Sequence, residues 1–277
     1  MRRVIAVVLL VVSIALLSFS IDSLMGMFRE YKQADELHDK LQKIHENAEQ
    51  PRQTEKPAIS SRPAEPEETA KPETDEPELT KPKREVDSGL LALHEENPDC
   101  LYWITIPDTE IDYPVMFRPG DKDYYLRRDF YGEYSGSGTL YMDEDCDPEW
   151  GDNLIFYGHH MNNGSMFAGL ENYKSEEFYK EHQEIILQTL QGKETYRVLA
   201  AFTTPVYTGN DFPYYNFTVT GNPKEYESFV KECQSRSLYE TGETAAYGRR
   251  LLTLSTCEYS QVNGRMVVVA VRVHNKA

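Results

Sequence analysis

Cysteine is scarce in this chain: four among 277 residues, at positions 100, 146, 233 and 257, with no two spaced as a CxxC pair. That spacing gives no support to a zinc site. If one thiol must stay free for chemistry, an odd three remain, so no disulfide framework is expected and Cys100 and Cys233 read as small core residues. Basic residues are also in deficit, 29 against 46 acidic ones. Six basic and seven acidic residues fall in 1–50, and seven and ten in 51–88, which leaves 16 basic and 29 acidic on the rest, a net charge of −13. Phosphate contacts demand the opposite sign, so nucleic acid is excluded as a partner. There is no internal repeat, and long uncharged apolar runs are absent beyond the first.

That one run, Val4 to Ile21, follows Arg2 and Arg3 and is about long enough to cross a bilayer as a helix. A cleaved signal peptide is the competing reading, with Ser18-Phe19-Ser20 as its small-x-small site, but its apolar region is usually shorter, about 7–15 residues. Residues 1–25 are therefore expected to be an uncleaved signal anchor, a single-pass membrane helix with the bulk of the chain outside the cell. Residues 26–50 mix charge with Met27, Phe28, Tyr31, Leu37, Leu41 and Ile44. They are expected to be a solvated helical stalk. Residues 51–87 carry Pro51, Pro57, Pro63, Pro66, Pro72, Pro77 and Pro82 among Glu, Thr and Lys, too little apolar surface to fold. A disordered, semi-rigid spacer is expected there, and a single compact domain over 88–277.

The domain reads as mainly strands, over 101–106, 111–116, 138–142, 153–158, 184–190, 194–204, 250–257 and 265–273. Three helices interrupt them. Asp87 or Ser88 can cap one through His94, and Ser165 another through Glu171. The third, 223–235, has Asn222 as N-cap, Pro223 at the first helical position and Glu225 three after the cap. Its Tyr226, Phe229, Val230 and Cys233 recur at i, i+3, i+4 and i+7, one packed face. Composition alone permits a barrel or a sandwich.

Thr253-Leu254-Ser255-Thr256-Cys257 ends one strand, and Arg265 starts the next. The link 258–264 ends in Asn263-Gly264, a turn dipeptide, so the two strands read as a hairpin with Cys257 near Arg265 at its loop end. A free thiol is only a few per cent ionised near neutrality, so a reactive one is found beside a base or a cation. Asn153-Leu154-Ile155-Phe156-Tyr157-Gly158-His159-His160 can supply it: an apolar strand, a glycine, then two histidines. Successive strand residues point to opposite faces, so only one histidine is expected to face Cys257. The acidic loop Asp143 to Glu149 lacks the glycine and ligand spacing of an EF-hand, so a solvated turn is expected, and no metal or other cofactor.

Tyr157-Gly158-His159, Thr253 to Cys257 and Arg265, in this order behind an N-terminal anchor, resemble the sortase family, and the details resemble class B. Asn97 to Ile106, Ile111-Asp112-Tyr113-Pro114-Val115 and Ser165-Met166-Phe167 add to the resemblance, which covers roughly 88–274. It implies a closed eight-stranded β-barrel with inserted and N-terminal helices, one of them between the sixth and seventh strands, where 223–235 falls. It also implies a cysteine transpeptidase. Cys257 would attack the carbonyl of a threonine in a C-terminal sorting signal and hold the surface protein as a thioester. His159, directly after the glycine, would be the acid and then the base, with His160 a local hydrogen-bonding residue. Arg265 would hold the substrate backbone and the oxyanion. Ser255, Thr256, Glu258 and Tyr157 are candidate substrate contacts, with structural roles as the alternative. The implied partners are surface proteins carrying the signal and an amine acceptor on a lipid-linked peptidoglycan precursor or a pilin. A thiol endopeptidase that releases to water, and a catalytically silent surface-binding module on a stalk, are the competing functions.

Overall fold

The structure is a computed structural model that describes residues 2–49, 88–209 and 211–273. Eight strands form it: β1 (Cys100–Thr105), β2 (Asp112–Met116), β3 (Leu140–Met142), β4 (Asn153–Tyr157), β5 (Glu184–Thr189), β6 (Gly192–Pro205), β7 (Leu251–Glu258) and β8 (Gly264–Val273). They close into a barrel in the order β1-β2-β3-β4-β7-β8-β6-β5. Neighbours run antiparallel except β2 with β3 and β4 with β7, which are parallel. Closure leaves no unpaired edge.

The valine run of β8 shows why this sequence makes a barrel wall. Met266, Val268 and Ala270 point inward to a core shared with Leu252, Leu254 and Phe156. Val267, Val269 and Val271 point outward and are covered by the helix α4 (Pro223–Arg236) through Tyr226, Phe229, Val230 and Cys233. Both faces are buried, so the strand is apolar throughout instead of alternating. As the capping residues imply, the Asn222 side chain accepts from the Lys224 amide at 3.0 Å, and Pro223 opens the helix. The β7–β8 link shortens to 259–263, closed by Asn263 in the left-handed region at φ 53°.

Two expectations need correction. No helix is capped by Ser165; a 3₁₀ segment, Ala168–Lys174, follows Phe167 without a side-chain cap, and α3 (Glu176–Glu181) starts at Ser175, whose hydroxyl accepts from the Phe178 amide at 3.3 Å. The stalk is not simply solvated either. A single helix α1 (Arg2–Glu49) runs through both the apolar stretch and the stalk, and its last turns dock on β1 and β2. Leu41 is buried in a cluster with Trp103 and with Leu90 and Leu93 of α2 (Ser88–Glu96). His45 stacks on Trp103 with ring centroids 4.2 Å apart. Asp112 gathers the joint, accepting from Gln42 Nε2 at 2.9 Å and Trp103 Nε1 at 2.7 Å. Burying a leucine such as Leu41 contributes about 1.5–3 kcal/mol, so this docking is not incidental. The spacer assigned to 51–87 lies outside the described residues, but its two flanks meet: a Cβ on Gly89 would lie 2.1 Å from the His45 carbonyl oxygen.

Candidate active site

Barrel closure brings together two stretches that the sequence separates by a hundred residues. β4 lies parallel to β7 with Tyr157 opposite Ser255, and β7 lies antiparallel to β8 with Cys257 opposite Arg265. Past this pair the Gly158 amide donates to the Ser255 carbonyl at 3.3 Å and the Thr256 hydroxyl to the Gly158 carbonyl at 2.8 Å, so the chain enters His159 at the end of β7 that carries Cys257. Leu252 and Leu254 fix the inward side of β7, so by alternation Cys257 points outward, as does Arg265 beside outward-facing Val267. Cys257 and Arg265 thus share the outer face at one end of the barrel, and His159 follows the end of β4 there; all three are partly exposed.

Gly158 makes the approach possible. A Cβ there would lie 2.3 Å from a Leu140 methyl and 2.9 Å from the Phe167 ring, so only glycine lets the chain leave β4 at this point. His159 Nε2 is 2.8 Å from the Leu126 carbonyl. A carbonyl only accepts, so Nε2 carries the hydrogen and Nδ1 is the nitrogen left for proton exchange. His160 hydrogen-bonds through Nδ1 to the backbone carbonyl of Cys257 at 3.1 Å. It ties the end of β7 to the segment after β4.

The four cysteines differ sharply. Cys100, Cys146 and Cys233 are buried, while Cys257 is partly exposed. Burial pushes the Cys146 thiol up to about 12, and those of Cys100 and Cys233 well above the ordinary range. None of the three can be a nucleophile at neutral pH.

Arg265 forms no salt bridge among the described residues; one Nη donates to the Gly264 carbonyl at 2.9 Å, which leaves most of its donors open. Tyr141, Tyr214 and Tyr259 lie within range of its charge. Burial pushes each of these phenols up, and the nearby guanidinium charge pulls each back down. Tyr157 belongs to the same wall, its hydroxyl donating to Asp143 at 2.9 Å and its ring 5.5 Å from that of Tyr141.

The remaining expected substrate contacts are placed elsewhere. Ser255 is 1% exposed and shares a 2.7 Å hydrogen bond with the Tyr214 hydroxyl, and Thr256 is 2% exposed and donates to the Gly158 carbonyl at 2.8 Å. Glu258, 3% exposed, pairs with Lys174 at 2.7 Å and accepts from the Ser260 hydroxyl at 2.8 Å. In this conformation these side chains are engaged within the fold, Thr256 and Glu258 on the face away from Cys257 and Ser255 against Tyr214. Leu126 and Tyr214, which position His159 and Ser255, had no signal in the sequence, since one acts through its carbonyl and the other from a short 3₁₀ turn, Tyr214–Asn216.

A partly exposed thiol, an imidazole and an unpaired guanidinium at one end of a closed barrel define an acyl-transferring cysteine enzyme as the class. Residues 104–273 match the family described as the sortase domain. Sortase B of Listeria monocytogenes is 33% identical over 187 residues, 66% of this chain and 74% of that protein; Sortase B of Staphylococcus aureus is 31% identical over 198 residues, 69% and 78%. Among solved structures, sortase B from B. anthracis superposes with a TM-score of 0.69 at 30% identity, covering 90% of this chain and 100% of that one. The Staphylococcus aureus sortase B–substrate complex gives 0.69 at 26% identity, covering 88% and 98%. The chain belongs to the sortase family, class B, whose members are cysteine transpeptidases.

Proposed function

We propose that this protein is a membrane-anchored transpeptidase that cleaves a C-terminal sorting signal after threonine and transfers the surface protein to a cell-wall amine. The observation that supports this reading is the strand register that sets the partly exposed Cys257 opposite Arg265, at the end of the barrel where β4 runs out toward His159. Cys257, as thiolate, attacks the threonine carbonyl carbon, and the carbonyl π electrons move onto oxygen, where the open donors of Arg265 meet the charge. On collapse the C–N bond breaks and His159 gives its proton to the leaving amine. The surface protein then remains as a thioester on Cys257. An incoming amine attacks that thioester, His159 takes the proton back, and the S–C bond breaks to restore the thiolate. Tyr157 and Tyr141 form the wall along which the signal lies. Ser255, Thr256 and Glu258 act through the backbone of the nucleophile's strand.

The exposed apolar residues of α1, from Leu9 to Phe28, support a single-pass anchor with the catalytic domain outside the cell. The substrate would then be presented at the membrane, and the acceptor amine would belong to a lipid-linked peptidoglycan precursor or a pilin. A peptide-cleavage assay with the full chain in detergent tests the reading. Adding an amine should divert the acyl group from water to an amide product, with a Cys257 thioester trapped by mass spectrometry. Release to water alone, whatever the amine, would make the protein a thiol endopeptidase. Absence of acyl-enzyme across a panel of sorting-signal peptides would make it a silent binding module.

A further inference from the structure

The continuity of α1 fixes where the barrel sits relative to the bilayer. Glu30 Oε1 accepts from the backbone amide of Gly136 at 2.6 Å, and Lys40 Nζ donates to the Tyr131 hydroxyl at 2.6 Å. These two attachments are ten residues apart on one helix, about 15 Å. Between them they pin the hairpin 127–136 along α1, with its Tyr134–Gly136 arm toward the apolar end. The hairpin is itself closed by an Arg128–Tyr134 bridge and by the Ser135 amide donating to the Arg127 carbonyl at 3.1 Å.

An apolar core of about 30 Å takes roughly 20 helical residues. Counted from Val4, these end near Ser23, and Glu30 lies about 10 Å further along the axis. The headgroup layer on each side is about 5–8 Å deep. The Tyr134 arm therefore lies about 2–5 Å beyond the outer edge of that layer, a gap that an extended tyrosine or arginine side chain can bridge. Tyr134 is 74% exposed, Arg127 and Arg128 are exposed beside it, and Phe28 on the adjoining turn of α1 is 67% exposed. Tyrosine and arginine are residue types enriched where protein meets headgroups, because each joins an apolar body to a polar tip.

We infer that the 127–136 hairpin is a phospholipid-headgroup contact surface that seats the barrel on the membrane, an inference that rests on the reading of α1 as a membrane anchor. Net charge does not drive it: the domain is acidic, and the rigid helix imposes the contact. The hairpin continues directly into Leu126, whose carbonyl holds His159, so the histidine side of the catalytic groove lies one hairpin away from the lipid.

Quenching in vesicles tests this with the full chain. In a Cys257→Ala background the three remaining thiols are buried, so Tyr134→Cys, Leu17→Cys or Glu227→Cys takes a single environment-sensitive fluorophore. Each is reconstituted in phosphatidylcholine–phosphatidylglycerol vesicles carrying a nitroxide on either the headgroup or the acyl chain. Leu17 should lose most of its emission to the acyl-chain nitroxide and Tyr134 to the headgroup nitroxide. Glu227, exposed on α4, whose apolar face packs on a different cluster from α1, should be quenched by neither. A helical insert of seven residues between Phe28 and Arg29 lifts the hairpin by about 10 Å nearly in phase, and should abolish the Tyr134 quenching while sparing that of Leu17. Leu17 quenched but Tyr134 as bright as Glu227 would overturn the seating and leave the anchor intact. An unquenched Leu17 would overturn the anchor, and the seating with it.

Discussion

The two faces of the same strand ends carry opposite chemistry. Outward stand Cys257 and Arg265, and past the end of β4 stands His159, with a thiol, guanidinium donors and an imidazole nitrogen left open. Around them stand Thr256 and Glu258 on the inward face and His160 past the end of β4, whose polar groups are engaged by the Gly158 carbonyl, Lys174 and the Cys257 carbonyl. Cys257 and Glu258, adjacent in sequence, are split into an open and an engaged member by the two-residue period of β7, whereas His159 and His160 follow the end of β4 and differ in their partners, the Leu126 carbonyl and the Cys257 carbonyl. An active site here is the saturated network's open side. The outward groups can stay unpaired because the inward ones hold the backbone still.

The comparison breaks most sharply at the thiols. Cys257→Ala should abolish turnover and any trapped acyl-enzyme, because the nucleophilic sulfur is gone and no other thiol is accessible. Cys100→Ser, Cys146→Ser and Cys233→Ser should lose stability and keep catalysis in the folded fraction. Activity that survives Cys257→Ala in mass-resolved product analysis would remove the nucleophile from the outward face.

Next in size comes the histidine pair. His159→Ala should lower kcat/KM by about 10²–10⁴, the usual contribution of a positioned acid–base group. His160→Ala should cost no more than one neutral hydrogen bond, about 1 kcal/mol or fivefold. Equal losses would mean that the two histidines are misassigned. Arg265→Lys keeps the charge but not the planar fork of donors. Its expected loss is about 10²–10³, seen in kcat more than in KM.

The inward face should register as stability instead. Burial pushes the Glu258 carboxyl up, but hydrogen bonds from Lys174 and from the hydroxyl and amide of Ser260 pull it further down, so it lies below its ordinary value. A carboxyl depressed in the fold contributes stability above its unfolded pKa, about 4.3, and loses it as pH falls through the folded value. Glu258→Gln should therefore lower unfolding free energy by about 1–3 kcal/mol at neutral pH. The gap to the parent should shrink as the pH drops below about 4. Denaturant unfolding at neutral and acid pH checks both parts, and a gap that grows in acid would show that the pair with Lys174 is not what stabilises it.

Much of this was legible beforehand. The β7–β8 hairpin, the strand limits and the α4 cap follow from local period and turn chemistry, and Cys257 opposite Arg265 follows from the hairpin. The parallel pairing of β4 with β7 is non-local, and no local pattern states it. Even so, alternation alone already sets Thr256 and Glu258 on the face away from Cys257, a signal outweighed by their nearness in sequence. The docking of α1 had a signal too, since Leu37, Leu41 and Ile44 recur at i, i+4 and i+7, a stripe that asks for a partner. Stalk composition hid it, because the charged residues between them fit a solvated helix equally well. The carbonyl of Leu126 had none, as any residue type offers it.

The smallest effect separates the two routes from membrane to barrel. If 51–87 were the tether, removing 55–80 would shorten the reach of the domain and reduce surface-protein attachment in cells. The docked helix makes a different demand. α1 joins the barrel before that segment begins, and His45 touches Gly89 after it ends, so the chain leaves the joint and returns to it. Twelve residues would remain between Glu49 and Ser88 after the deletion, enough to span about 40 Å if extended, so the closure is unstrained. If 51–87 is the flexible spacer that its composition implies, shortening the segment between Glu49 and Ser88 from 38 residues to 12 lowers its closure entropy cost by about 1 kcal/mol. The deletion should therefore raise the melting temperature slightly, leave peptide turnover unchanged, and leave attachment in cells at the parent level. Removing residues 1–25 should abolish that attachment while sparing turnover. If deleting 55–80 lowers attachment as far as removing 1–25 does, the loop and not the helix carries the barrel above the membrane.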